Sequence, residues 1–172
     1  MPKPNLSTIP SYYHPYVKLV QEDDINQALA NNTEKAISFF KSVPAEKWSY
    51  RYEEGKWSIK ELLQHVIDAE RIFSYRALCF ARKEKNSLPA FDENSYAAAS
   101  KANARTNEDL IDEFLAVRKA TELLFRSFDE EQLTSEGVAN NNRVSVIGIG
   151  FITAGHVQHH LNILKERYLQ VK

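Results

Sequence analysis

The chain is short of the residues that cross-link or interrupt a fold. Its single cysteine, Cys79, excludes an internal disulfide framework. Five glycines and six prolines in 172 residues form no low-complexity tract, repeat or interdomain linker. No apolar run approaches the roughly 20 residues that span a bilayer. The opening stretch, MPKPNLSTIPSYYHPYV, lacks the apolar core of a secretory signal. Neither sign of charge is in excess, since 22 Lys and Arg against 23 Asp and Glu leave a net charge of -1. Without a concentration of cations to neutralise phosphates, nucleic acid is not an expected partner, and neither is a membrane. A single soluble cytoplasmic domain over residues 1–172 is the expectation, and that length suffices for a substantial core.

What the chain does have is helical periodicity. A first helix is expected over Asp24 to Lys41, with Pro44 limiting its extension. The aromatic stretch after it, EKWSYRYEEGKW, reads as a packed connection. Ser58 stands three residues before Glu61, the spacing of a capping box, and opens a second helix reaching about Lys83. Apolar residues on more than one side of that helix predict deep burial. From Asn86 to Arg105 the pattern fades into a long crossover with room for one short helical turn. Thr106 and Asp109 suggest a second capping box, for a helix through Leu110, Phe114, Val117, Leu124 and Phe128. Gly137 and the run Asn140-Asn141-Asn142 read as a loop. Ser145 then caps a last helix to about Leu169, whose Gly148, Gly150 and Gly155 imply close helix approach or room for a ligand. The expected fold is all-α, a four-helix bundle with a long crossover between the second and third helices.

Five histidines punctuate this pattern: His14, His65, His156, His159 and His160. His156 and His160, four apart, share one helix face. At about 100° per residue, His160 lies about 40° to one side of His156 and His159 about 60° to the other. Ile149, Ile152, Ile163 and Leu164 share the side of the 156/160 pair, so that pair faces the core. Buried imidazoles need partners, and a metal ion is one such partner. A hydrogen-bonded core pair is another, and spacing alone leaves the two open. A site would need a third ligand. His65 suits this if the second and last helices are neighbours, whereas His14, beside Pro15 in an irregular segment, suits it less. The zincin pattern His-Glu-x-x-His is absent, and Glu61 is four residues from His65 rather than the three of a di-iron repeat. Cys79 lies roughly 21 Å along the helix axis from His65, too far to share a site.

Two segments, GKWSIKELLQHVIDAERIFSYRAL and VSVIGIGFITAGHVQHHLNILKERY, resemble the DinB superfamily of helical bundles. The likeness is narrower to the branch of bacillithiol S-transferases and YfiT-type metal-dependent hydrolases. It extends to YYHPYVKLV, LPAFDENSYAAA and EFLAVRKATELLFRSFDEEQL, and so over nearly the whole chain. The resemblance implies a three-histidine metal site with one ligand on the second helix and a His-x-x-x-His pair on the last. Carried onto this chain, these are His65, His156 and His160, with His159 a frequent histidine that is not a ligand. It further implies a divalent metal, zinc first and nickel second, and a low-molecular-weight thiol as co-substrate. A homodimer is possible by the same analogy, with no interface legible in the sequence.

Three functions are compatible with such a centre. The leading one transfers the thiol to an electrophilic small molecule. The second is hydrolysis by metal-bound water, and the third is a non-catalytic metal- or ligand-binding bundle. No catalytic base can be named, since Glu61, Asp68 and Glu70 read equally well as surface or structural carboxylates. Glu70 stands about 140° around the helix from His65 and points away from it. Trp48, Tyr50, Tyr52 and Trp57, and separately Tyr12, Tyr13 and Tyr16, could rim a pocket or simply pack.

Overall fold

The computed structural model describes residues 3–170. Four long helices carry the fold: α2 (Ile25–Ser42), α3 (Ile59–Ala81), α5 (Asn107–Arg126) and α7 (Val146–Ile163). Shorter elements are α1 (His14–Leu19), α4 (Glu93–Ala99) and α6 (Glu130–Thr134), with strands β1 (Glu136–Ala139) and β2 (Asn142–Ser145). A π-helical turn, Leu164–Leu169, continues α7.

Local chemistry sets where the long helices begin. Asp24 is the cap of α2, its carboxylate accepting the Gln27 N–H at 3.0 Å. At α3 both halves of the capping box form: Ser58 Oγ accepts the Glu61 N–H at 3.2 Å and Glu61 accepts the Ser58 N–H at 2.8 Å. At α5 only one half forms. Thr106 Oγ1 accepts the Asp109 N–H at 3.1 Å, but the Asp109 carboxylate turns to Arg105 at 2.6 Å. Ser145 Oγ caps α7 through the Gly148 N–H at 3.1 Å.

Three further expectations need correcting. The segment around His14 is helical, because Pro15 fits the first turn of a helix, where no N–H is needed. Residues beyond Arg126 do not extend α5; Phe128 lies past its end and Asp129 caps the separate helix α6. The asparagine run is the turn of a β-hairpin rather than an irregular loop. Asn140 and Asn141 have φ of 50° and 60°, the paired left-handed conformations of a two-residue hairpin turn, which asparagine tolerates. The crossover is pinned to this hairpin by Leu88, which donates to Val138 O at 2.9 Å and accepts from Asn140 N at 3.0 Å.

Around the bundle, α3 and α2 each pack between α5 and α7, so the consecutive helices α2 and α3 lie across a diagonal. α1 lies along α7. From Val146 to Val157 every residue of α7 is buried, as expected of a helix that is apolar all round. Two hydrophobic clusters fill the interior. One gathers Ile25, Leu29, Phe73, Phe80, Phe125 and Phe151, the other Phe40, Leu63, Ile67, Leu110, Phe114 and Leu161. Between them on the same helices lies a polar layer. Arg118, fully buried, donates from Nε and Nη2 to the two Glu70 oxygens, both at 2.8 Å, and from Nη1 to Asn32 Oδ1 at 3.1 Å. On α7, His156 likewise falls between Ala154 of the first cluster and Val157 of the second.

Candidate metal centre

Direct packing of α3 on α7 brings His65 against His156 and His160. His156 Nε2 stands 3.1 Å from His65 Nε2 and 3.0 Å from His160 Nε2. All three rings are buried, and one nitrogen from each lies within 4.8 Å of the others. Burial pushes His65 down to about 4. It holds His156 and His160 well below the ordinary histidine value too, with the neighbouring imidazoles adding to the effect. The rings are therefore neutral near pH 7 and have lone pairs to give.

Protons alone do not satisfy this cluster. A neutral imidazole nitrogen has either one N–H or one in-plane lone pair. His156 Nε2 faces two nitrogens at once, so at most one of its two contacts can be a well-aligned hydrogen bond. His160 Nδ1 is buried without a partner, so its ring orientation is not set from that side. A cation accepting lone pairs from all three Nε2 atoms resolves the conflict. Nitrogens bound to one tetrahedral zinc at about 2.0–2.1 Å stand about 3.3 Å apart, within a few tenths of the observed spacings. The donor set fits a divalent metal.

The other histidines lie outside the cluster. His14 Nε2 hydrogen-bonds with Ile9 O at 2.9 Å. His159 packs its ring on Tyr16, with centroids 4.9 Å apart. The carboxylates of α3 are engaged as well. Glu61 serves the capping box and Arg51 at 2.6 Å, Glu70 binds Arg118, and Asp68 accepts from Gln64 at 3.0 Å. None of the three lines the cavity above the histidines.

That cavity encloses about 320 Å³, with His65, His156 and His160 among its walls. Trp57 packs against His65 with ring centroids 4.7 Å apart, and the Tyr16 ring meets His156 at 5.5 Å. Tyr12 and Tyr13 also line it, whereas Trp48 packs on Phe40, and Tyr50 and Tyr52 pack on Tyr168. Burial pushes the Tyr13 and Tyr16 phenols up, aided at Tyr16 by the negative charge of Glu93. A second cavity, about 270 Å³, opens beside Tyr52, Lys56, Leu62 and Arg167 and shares Trp57 and His160 with the first.

Sequence reasoning missed Phe73, Arg76, Phe91 and Glu93, all of which line the first cavity. For two of them a signal existed. Ala69, Phe73 and Arg76 follow His65 by four, eight and eleven residues, a single helical stripe, and all four residues face that space. Phe91 and Glu93 depend on how the hairpin pins the crossover, which has no local signature.

The sequence pattern of the DinB superfamily matches residues 28–164. A protein of Oceanobacillus iheyensis, provisionally named a metal-dependent hydrolase, is 29% identical over 125 residues, 72% of each chain. Among solved structures, YfiT from Bacillus subtilis, described as a probable metal-dependent hydrolase with an unusual four-helix bundle topology, superposes with a TM-score of 0.68. It has 13% identity and covers 98% of this chain and 92% of its own. The mycothiol-dependent maleylpyruvate isomerase also gives a TM-score of 0.68 and 13% identity, over 80% of this chain and 58% of its own. Among the described residues no helix is long and apolar enough to cross a membrane.

Proposed function

The chain belongs to the DinB superfamily, and from that premise we propose that it is a metal-dependent enzyme transferring a low-molecular-weight thiol to an electrophilic small molecule. His65, His156 and His160 would hold the divalent cation, zinc or nickel. The observation that carries this reading is the convergence of three neutral, buried Nε2 atoms on one point at the wall of a molecule-sized cavity. When bound, such a cation lowers the pKa of a thiol or water that reaches it and so supplies a nucleophile at neutral pH.

The chain's own residues supply the rest. Trp57, Phe73 and Phe91 give the first cavity apolar walls that displace water from a bound molecule. The phenols of Tyr13 and Tyr16 stay protonated at neutral pH and offer hydrogen bonds to a developing negative charge. No carboxylate of α3 is free to act as a base beside the histidines. Glu93 of α4 is the carboxylate that lines the cavity, and its charge acts on Tyr16. With no α3 carboxylate beside the histidines, a nucleophile ionised before attack, as a thiolate is, is favoured. Two cavities meeting at Trp57 and His160 also suit a reaction with two organic substrates better than hydrolysis.

The names of the relatives favour the second reading, hydrolysis, in which water takes the place of the thiol. A panel of low-molecular-weight thiols, bacillithiol among them, with chlorinated and epoxide acceptors separates the two. Thiol transfer predicts metal-dependent loss of free thiol in step with acceptor. Acceptor turnover with thiol unchanged would overturn it in favour of hydrolysis.

A further inference from the structure

Two arginines are buried in the described structure, and their surroundings differ. Arg118 is answered in full, bidentately by Glu70 and by Asn32. Arg76, 6% exposed on α3, makes one hydrogen bond, from Nη2 to Pro89 O at 2.7 Å. Among the described residues no carboxylate stands within ion-pair distance of it. Glu93 lines the same cavity but forms no ion pair with Arg76. A guanidinium has five N–H groups and stays charged when buried. The bond to Pro89 accounts for one of the five. The remaining Arg76 nitrogens are not sealed off, and Arg76 lines the cavity that His65, His156 and His160 also line.

A buried, uncompensated cation costs stability unless something supplies the counter-charge. We propose that Arg76 is the anchor for a carboxylate on the substrate of this cavity, which rests on the cavity being the substrate site described above. A carboxylate matches the planar fork of the guanidinium bidentately. A single positive charge balances a monoanion, whereas a phosphate dianion would leave excess charge facing Glu93. His65 and Arg76 share one stripe of α3, about 16 Å apart along the axis. The long arginine side chain shortens that gap by leaning toward the helix N-terminus. The substrate is thus a carboxylic acid whose reacting atom lies several bonds from its carboxylate, with an apolar body between Tyr13, Phe73 and Phe91.

The test compares phenylbutanoate with its neutral isostere phenylbutanamide, by calorimetry on the full chain, both stripped with EDTA and reloaded with zinc. The wild type should bind the acid at least about tenfold tighter than the amide, in both metal states. Arg76→Gln should abolish the preference while still binding the amide, and Arg76→Lys should retain part of it. Equal binding of acid and amide by the wild type, or no binding of the acid, overturns the proposal. So does a preference that survives in Arg76→Gln, or one that disappears with the metal while Arg76 is intact. Should Arg76→Gln fail to fold by circular dichroism, Arg76→Lys decides: an undiminished preference there contradicts the bidentate anchor. Because the EDTA-treated arm needs no metal, failure of metal-dependent chemistry and failure of the Arg76 anchor give different results.

Discussion

Three imidazoles are held neutral by burial, and this ties the acid sensitivity of the protein to its ligating power. His65 has an ordinary value of 6.5 and is pushed down to about 4 in the fold. Below pH 6.5 the unfolded chain therefore takes up a proton that the folded chain refuses. The stability present above pH 6.5 is lost as the pH falls toward 4, by about 3 kcal/mol from His65 alone at 1.36 kcal/mol per pH unit. His156 and His160 act in the same direction. Urea unfolding of the metal-free protein between these limits should give a steadily falling stability. A flat profile would mean that the rings are solvated or already charged. The same residues explain what could be read early. The i, i+4 spacing on an apolar face selects His156 and His160 over His159 from the sequence alone, whereas only the packing of α3 on α7 brings His65 to them.

Among the elements, α7 is the one whose composition is hardest to justify locally. It is apolar on every side and carries glycines that each cost roughly 1 kcal/mol in helix propensity. Packing explains Gly155. A Cβ there would sit 2.1 Å from the carbonyl oxygen of Tyr16, so α1 can approach α7 only because the side chain is missing. That approach places the Tyr16 ring against His156. Gly155→Ala should lower the melting temperature despite its gain in propensity, because overpacking against backbone costs about 1–3 kcal/mol and cannot be relieved by a rotamer change. An unchanged or higher melting temperature would contradict this close fit. Boundaries set by capping chemistry, at Ser58 and Ser145, were legible in the sequence. The hairpin was not, because its strands are four residues each and its turn is built from asparagines that read equally well as loop.

On the scale of the whole molecule, a polar layer crosses a bundle that is otherwise hydrophobic. Glu70, Arg118 and Asn32 satisfy one another within it, and an uncompensated charge there would be costly, which fits their bonding to one another rather than to a ligand. The histidines lie alongside that layer with one Nε2, that of His156, facing two others at once and a cavity before them. The all-α class and the four long helices follow from periodicity. Their arrangement, with consecutive α2 and α3 across a diagonal, does not, since helix period says which face is buried but not against which partner. Everything proposed for the chemistry depends on the histidine cluster being a cation site rather than a hydrogen-bonded core. Metal analysis of the untagged protein beside its His65→Ala, His156→Ala and His160→Ala variants tests this most directly. About one divalent ion per chain is expected in the wild type, at a site with one nitrogen from each of three histidines, with loss of that ion from each folded variant. Stoichiometric metal retained in the variants, or a wild type that takes up none when zinc and nickel are supplied, would contradict it.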